Sequence, residues 1–202
     1  YQNQDWAEQY LALVEQVREM EPADSDLELT VAVAKNYFRL MSYKDEYEVA
    51  RLFSDGAFHR DLEARFEGDY SLHFHLAPPI LAKRNRHTGI PQKRCLPGWT
   101  LGLFRALAAM RGIRGTWLDP FGYSSERRME RDLIAEYAGV IGEVLPHLDS
   151  ENYSRAVDLV NLPASIRGFG HVKQAAVDRY HRDLETARRR FREPQLAVVV
   201  NG

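Results

Sequence analysis

The chain has 202 residues, 45% hydrophobic and 28% charged, with a net charge of −2 and one cysteine. That is the make-up of a globular protein with enough length to bury a core without disulfides. A single thiol, Cys95, excludes an internal disulfide, a zinc site built on cysteines, and an iron–sulfur cluster ligated by this chain alone.

No apolar run approaches the ~18 residues that a membrane-spanning helix needs, and no secretory signal pattern is present. With one thiol, a reducing cytoplasm is the expected location. The chain opens YQNQDWAEQY, without an initiator Met, and is expected to be a piece of a longer polypeptide. The small net charge hides an asymmetry. Residues 1–70 carry −9, residues 71–131 carry +8, and residues 132–202 carry −1. A basic middle third has three uses: binding an anion, attracting an acidic partner, or neutralising the acidic third of the same chain.

In chain order, Trp6, Tyr10, Leu13, Val17 and Met20 step by three and four residues along one helical face, ended by Glu21-Pro22. SDLE follows, with Ser25 and Glu28 at the spacing of a capping box. The helix it opens is predicted to turn Leu27, Val31, Ala34, Phe38 and Met41 inward. A third helix, roughly 45–53, runs on from it to a break at Asp55-Gly56, and Phe58, Leu62 and Phe66 suggest a short one before Gly68.

At Ser71 the period changes. Leu72, Phe74 and Leu76 alternate with Ser71, His73 and His75, predicting a strand that Pro78-Pro79 stops. His87-Thr88-Gly89 reads as the turn of a long hairpin returning through Lys93–Leu96. A helix through Trp99, Leu103, Phe104, Leu107 and Met110 comes next, then the Gly- and Pro-rich loop RGIRGTWLDPFGY. Ser124 is placed to cap a helix with the stripe Met129, Leu133, Tyr137, Val140 and Val144. Asp149 or Ser150 caps another, ended by Pro163. Gly168-Phe169-Gly170 precedes a last long helix that turns Val172, Ala176, Leu184, Ala187 and Phe191 inward and ends in basic residues. LAVVV near the end reads as an edge strand. With no internal repeat and no linker, residues 1–202 read as one mainly α (α+β) domain with a small β-hairpin around residues 70–96.

The candidate sites are few. His73 and His75, two apart on a strand, project from one face and are candidate metal ligands. In sequence no Asp, Glu or Cys stands at a supporting spacing, and polar residues belong on the outer face of a half-buried strand, so no metal is assigned. Lys83, Arg84, Arg86, Lys93 and Arg94, with Arg105 on the following helix, form a basic group suited to an acidic partner. Nucleic acid fits it less well, because no aromatic residues are interleaved for base stacking. Arg111 and Arg114, among glycines, are candidates for an anion such as CoA. Neither this stretch nor GFGH matches a nucleotide-binding fingerprint. Glu126, Glu130, Arg127, Arg128 and Arg131 read as surface ion pairs. Ser124, Ser125, His59, His87, His147, His171 and His181 form no nucleophile motif, and no catalytic residue is assigned.

Four stretches carry a resemblance: VAKNYFRLMSYKDEYEVARLF (Val33–Phe53), FHLAPPILAKR (Phe74–Arg84), DPFGYSSERRMERDLIAEY (Asp119–Tyr137) and LPASIRGFGHVK (Leu162–Lys173). Together and in this order they resemble the C-terminal region of the long, fused bacterial indolepyruvate ferredoxin oxidoreductases, of the 2-oxoacid:ferredoxin oxidoreductase family. The resemblance implies a homo-oligomeric parent enzyme that oxidatively decarboxylates aryl 2-oxoacids to acyl-CoA. Such a parent uses thiamine diphosphate with Mg, a 4Fe-4S cluster and CoA as co-substrate, and passes electrons to ferredoxin. None of the family's catalytic or cofactor motifs matches a position here, so no role is carried over. The expectation is an accessory domain for assembly or partner docking, contacting other domains of the parent chain or ferredoxin, and non-catalytic alone. The alternatives are an anion- or CoA-binding domain with its own pocket and a nucleic-acid-binding module.

Overall fold

Asn3 starts the first helix: its side-chain oxygen accepts from the Trp6 amide at 2.9 Å, satisfying a donor the helix itself leaves unpaired. The computed structural model describes residues 2–76 and 94–193. Among them the order is α1 (Gln4–Met20), α2 (Glu28–Met41), α3 (Glu46–Ser54), α4 (Gly56–Arg65), β1 (His73–Leu76), β2 (Arg94–Pro97), α5 (Leu101–Ala109), α6 (Ser125–Val144), α7 (Tyr153–Asn161) and α8 (His171–Arg192). The mainly helical class with one small antiparallel sheet is as expected. Among the described residues no helix is long and apolar enough to cross a membrane. The hairpin turn, Pro78-Pro79 and the tail LAVVV lie outside the described residues.

The chain divides into two compact units, one formed by Tyr1–Tyr43 with Met129–Gly202, the other by Lys44–Arg128. In the first unit the core joins Val17 of α1, Val33, Tyr37 and Met41 of α2, Leu133, Tyr137 and Val140 of α6, Leu159 and Val160 of α7, and Tyr180 and Leu184 of α8. Removing such apolar surface from water is the main favourable term, about 25 cal/mol per Å². Where polar groups enter this core, they are tied down. Asn36 donates from Nδ2 to the carbonyls of Ala32 and Val160, and Tyr137 donates its hydroxyl to the same Val160 carbonyl at 2.9 Å.

Four expectations are corrected in this unit. The capping box does not form. Leu27 precedes α2 at φ 57° with no side-chain cap, and Ser25 accepts from the Leu27 amide instead of that of Glu28. Instead Glu21, the residue that ends α1, accepts from the amides of Leu29 and Thr30 and the hydroxyls of Thr30 and Tyr153. A full carboxylate meets the positive end of α2 there, a better complement than a serine hydroxyl. The inward face of α2 is also rotated from the predicted one. Leu27, Val31 and Phe38 are exposed, whereas Leu29, Ala32, Val33, Tyr37, Leu40 and Met41 are buried. Asn36 and Tyr37 look polar in sequence, and their hydrogen bonds are what make that face buriable. Likewise Val172 of α8 is exposed; the inward stripe runs through Val177, Tyr180, Leu184 and Phe191, with Ala187 against it. Finally, α7 starts later than Asp149 or Ser150 predicts. Asp149 and Asn152 accept each other's amide protons in a closed turn, and Tyr153 is the first helical residue.

The second unit is built differently. Asp55 both ends α3 and caps α4, accepting from the Phe58 amide at 3.1 Å, so the Asp55-Gly56 break is one residue thick. β1 and β2 pair antiparallel, with His73 opposite Pro97, Phe74 opposite Leu96, His75 opposite Cys95 and Leu76 opposite Arg94. Phe74 points inward and packs with Phe53, Phe58 and Phe104 at ring separations of 5.1, 6.4 and 5.0 Å. These four rings fix the sheet against α3, α4 and α5. Ser124 caps α6 as expected, accepting from the Arg127 amide at 3.2 Å.

Candidate functional site

The chemistry-bearing side chains of the second unit gather around the start of α3. Asp45, its cap, accepts from the Glu48 amide at 2.8 Å and is clasped by the Arg114 guanidinium, Nη2 to Oδ1 at 2.7 Å and Nε to Oδ2 at 2.5 Å. This two-point geometry is what a planar guanidinium and a carboxylate favour. Arg114 also lies 5.8 Å from the centre of the Tyr47 ring. Tyr47 in turn donates its hydroxyl to Asp119 at 3.0 Å, and Asp119 accepts from the amides of Gly115 and Phe121 as well. Beside these, Arg127 donates to the Lys44 carbonyl and stands 3.8 Å from Glu46. Glu48 holds Arg51 through both oxygens.

The electrostatics follow from burial. Burial pushes the Tyr47 phenol up, and the hydrogen bond to Asp119 and the charges of Asp119, Asp45 and Glu46 push it further. Tyr47 is therefore a neutral donor throughout the physiological range. Burial also raises the Glu46 carboxyl, an effect that Arg127 opposes. The Arg51 hydrogen bond holds Glu48 below the usual carboxylate range. The arrangement is closed. Asp45, Tyr47 and Asp119 are spent on Arg114 and on backbone amides that position the 115–121 loop, a framework and not a reactive pair.

The residues singled out from sequence are placed as follows. Arg114 is half-buried with its side chain turned in against Asp45 while Arg111 is exposed, so the two guanidinium groups do not share one open surface. Arg105 is exposed on α5; Lys83, Arg84, Arg86 and Lys93 lie outside the described residues, and Arg94 is described only as backbone of β2. The ion pairs expected on the surface at the start of α6 are corrected. Arg127 and Glu130 are buried, with Arg127 beside Glu46 and Glu130 accepting from Lys173 at 2.5 Å. His73 and His75 are exposed on β1 as expected, and strand pairing brings them a neighbour that spacing alone concealed. Cys95 stands opposite His75, and its Sγ is 3.5 Å from Nδ1 of His73. As the side chains stand, no group of three or more His, Cys, Asp or Glu among the described residues is set to hold a metal ion.

Sequence reasoning missed Asp45, Tyr47 and Asp119. Their partners are separated by about seventy positions, Asp45 to Arg114 by 69 and Tyr47 to Asp119 by 72, beyond the reach of any local pattern. Cys95 was within reach, because pairing the predicted strands in register places it across from a histidine. The second unit also exposes large apolar side chains: Trp99 at 72%, Trp117 at 80%, and Leu103, Met110, Leu118 and Tyr123. α5 buries no residue fully.

No curated protein and no solved structure matches the chain. A family model does, over residues 1–186, under the description "Family of unknown function (DUF6537)". The residues of the α3 framework and all of the helical core except the last turns of α8, with Ala187 and Phe191, lie inside that span, and the chain belongs to the DUF6537 family.

Proposed function

We propose that this is the C-terminal accessory domain of a fused indolepyruvate ferredoxin oxidoreductase, serving assembly or partner docking and performing no chemistry alone. The reading rests first on the four ordered stretches that resemble that region. The observation that best supports docking over catalysis is the contrast within the second unit. Its buried carboxylates and guanidinium groups close on one another, whereas Trp99, Leu103, Trp117 and Leu118 are left in water. Exposed aromatic and aliphatic groups in one unit are the composition of a contact surface. The parent's thiamine diphosphate, magnesium, 4Fe-4S cluster and CoA would be bound by other parts of the polypeptide.

Two of the resembling stretches, YKDEYEVARLF and DPFGY, supply Asp45, Tyr47, Glu48, Arg51 and Asp119. Asp45, Tyr47 and Asp119 hold the loop that carries Trp117 and Leu118. The test is deletion of this region from the full-length polypeptide. Loss of assembly, or of 2-oxoacid-dependent ferredoxin reduction, is expected; unchanged assembly and unchanged turnover would remove the proposal.

A further inference from the structure

We infer that the outer face of the hairpin is a binding site for one zinc-class divalent ion, ligated by His73, His75 and Cys95 with water in the fourth position. With Zn–S near ~2.3 Å and Zn–N near ~2.0–2.1 Å, sulfur and nitrogen on one tetrahedral zinc are about 3.5 Å apart. Sγ of Cys95 and Nδ1 of His73 are 3.5 Å apart already.

His75 is the direct cross-strand partner of Cys95, and His73 follows the same side of β1 two residues away. Directly opposed residues of an antiparallel pair have Cβ atoms only about 5 Å apart. Three residues of zinc-binding type therefore share one face of the sheet. His75 completes the set by turning about its own side-chain bonds, which its exposure allows.

Phe74, between the two histidines, is 4% exposed and wedged among Phe53, Phe58 and Phe104. That anchor fixes the strand on which the ligands stand, and a metal site gains from a rigid base. Two imidazoles and a thiolate suit zinc and copper better than magnesium or calcium. Binding displaces the thiol proton, so affinity falls as the solution is acidified. The competing explanation of the short contact is a weak hydrogen bond between thiol and imidazole.

Because Cys95 is the chain's one thiol, alkylation read by intact mass reports on the site directly. The chelator-stripped chain is titrated with zinc, and with cobalt for its thiolate-to-metal absorption. One zinc per chain, protection of Cys95 from alkylation, and a cobalt–thiolate band lost in Cys95→Ser are expected. His73→Ala and His75→Ala should each weaken zinc binding at least about 10-fold, and His147→Ala should leave it unchanged. All of these groups are exposed, so circular dichroism of the variants should match the parent chain. Equal alkylation with and without zinc, or protection that survives both histidine substitutions, would overturn the site and leave the hydrogen bond as the explanation.

Discussion

The two units of this chain weigh apolar packing and buried charge differently. In the first, the buried face of each helix is mostly aliphatic and aromatic, and polar groups such as Asn36, Tyr137 and Glu21 bond neighbouring backbone atoms, with one buried carboxylate, Glu130, paired to Lys173. In the second, a four-ring cluster of phenylalanines sits beside a framework of buried charge, Asp45 with Arg114 and Asp119 with Tyr47. Apolar packing is forgiving, because a shortened side chain leaves a gap that neighbours partly fill. A buried ion pair is not, because removing one partner leaves the other charge without solvent or counter-charge. Each unit should therefore fail in its own way.

The largest effect is expected where charge is stranded. Asp45→Ala takes from the Arg114 guanidinium its two-point carboxylate partner and removes the α3 cap, a loss of about 3–5 kcal/mol. Urea unfolding should show it, with hydrogen exchange rising first in the 44–128 segment. In the first unit, Leu184→Ala, at 1% exposure, should cost about 3 kcal/mol by emptying part of the core. Equal or larger damage from Leu184→Ala than from Asp45→Ala would reverse the contrast.

Glu21 offers a sharper probe because it titrates. Burial pushes its carboxyl up, but hydrogen bonds from Thr30, Tyr153 and the Leu29 and Thr30 amides outweigh this and leave it below its ordinary value. A carboxyl depressed by folding stabilises the fold above its unfolded pKa, near ~4.3, and that contribution is lost as pH falls through the lower, folded value. Glu21→Gln should thus cost about 2 kcal/mol at neutral pH, and less in acid, flattening the acid limb of the stability profile. A variant whose acid limb runs parallel to that of the parent chain would mean the carboxylate is not the cap. The smallest effect is a gain. Leu27 has φ 57°, a left-handed conformation costly for a leucine, and Leu27→Gly should stabilise by about 0.5–1 kcal/mol. A lowered melting temperature would contradict it.

The same contrast explains what could be read from sequence. Elements of the first unit announce themselves by period: the stripe Leu133, Tyr137, Val140 and Val144 on α6 is where spacing puts it, and so is Ser124 before that helix. Period failed on α2 because Asn36 and Tyr37 count as polar until their partners on α7 and α1 are known. The capping of α2 failed for a related reason, since the nearer serine was outcompeted by a charged group from the preceding helix. In the second unit the framework is invisible locally, because its bonds join α3 to a loop some seventy residues on. The basic group was legible as composition only. Charge counts say that cations are present, not which of them, like Arg114, are already spent.

The central claim is that this domain acts by contact. The most direct measurement mixes the purified chain with a parent polypeptide lacking it, following association by sedimentation and 2-oxoacid-dependent ferredoxin reduction in the same samples. The account predicts association that restores reduction, weakened by Trp99→Ala combined with Trp117→Ala while the chain's own melting temperature stays put. Failure to associate, or oxidation of a 2-oxoacid by the isolated chain, would contradict it.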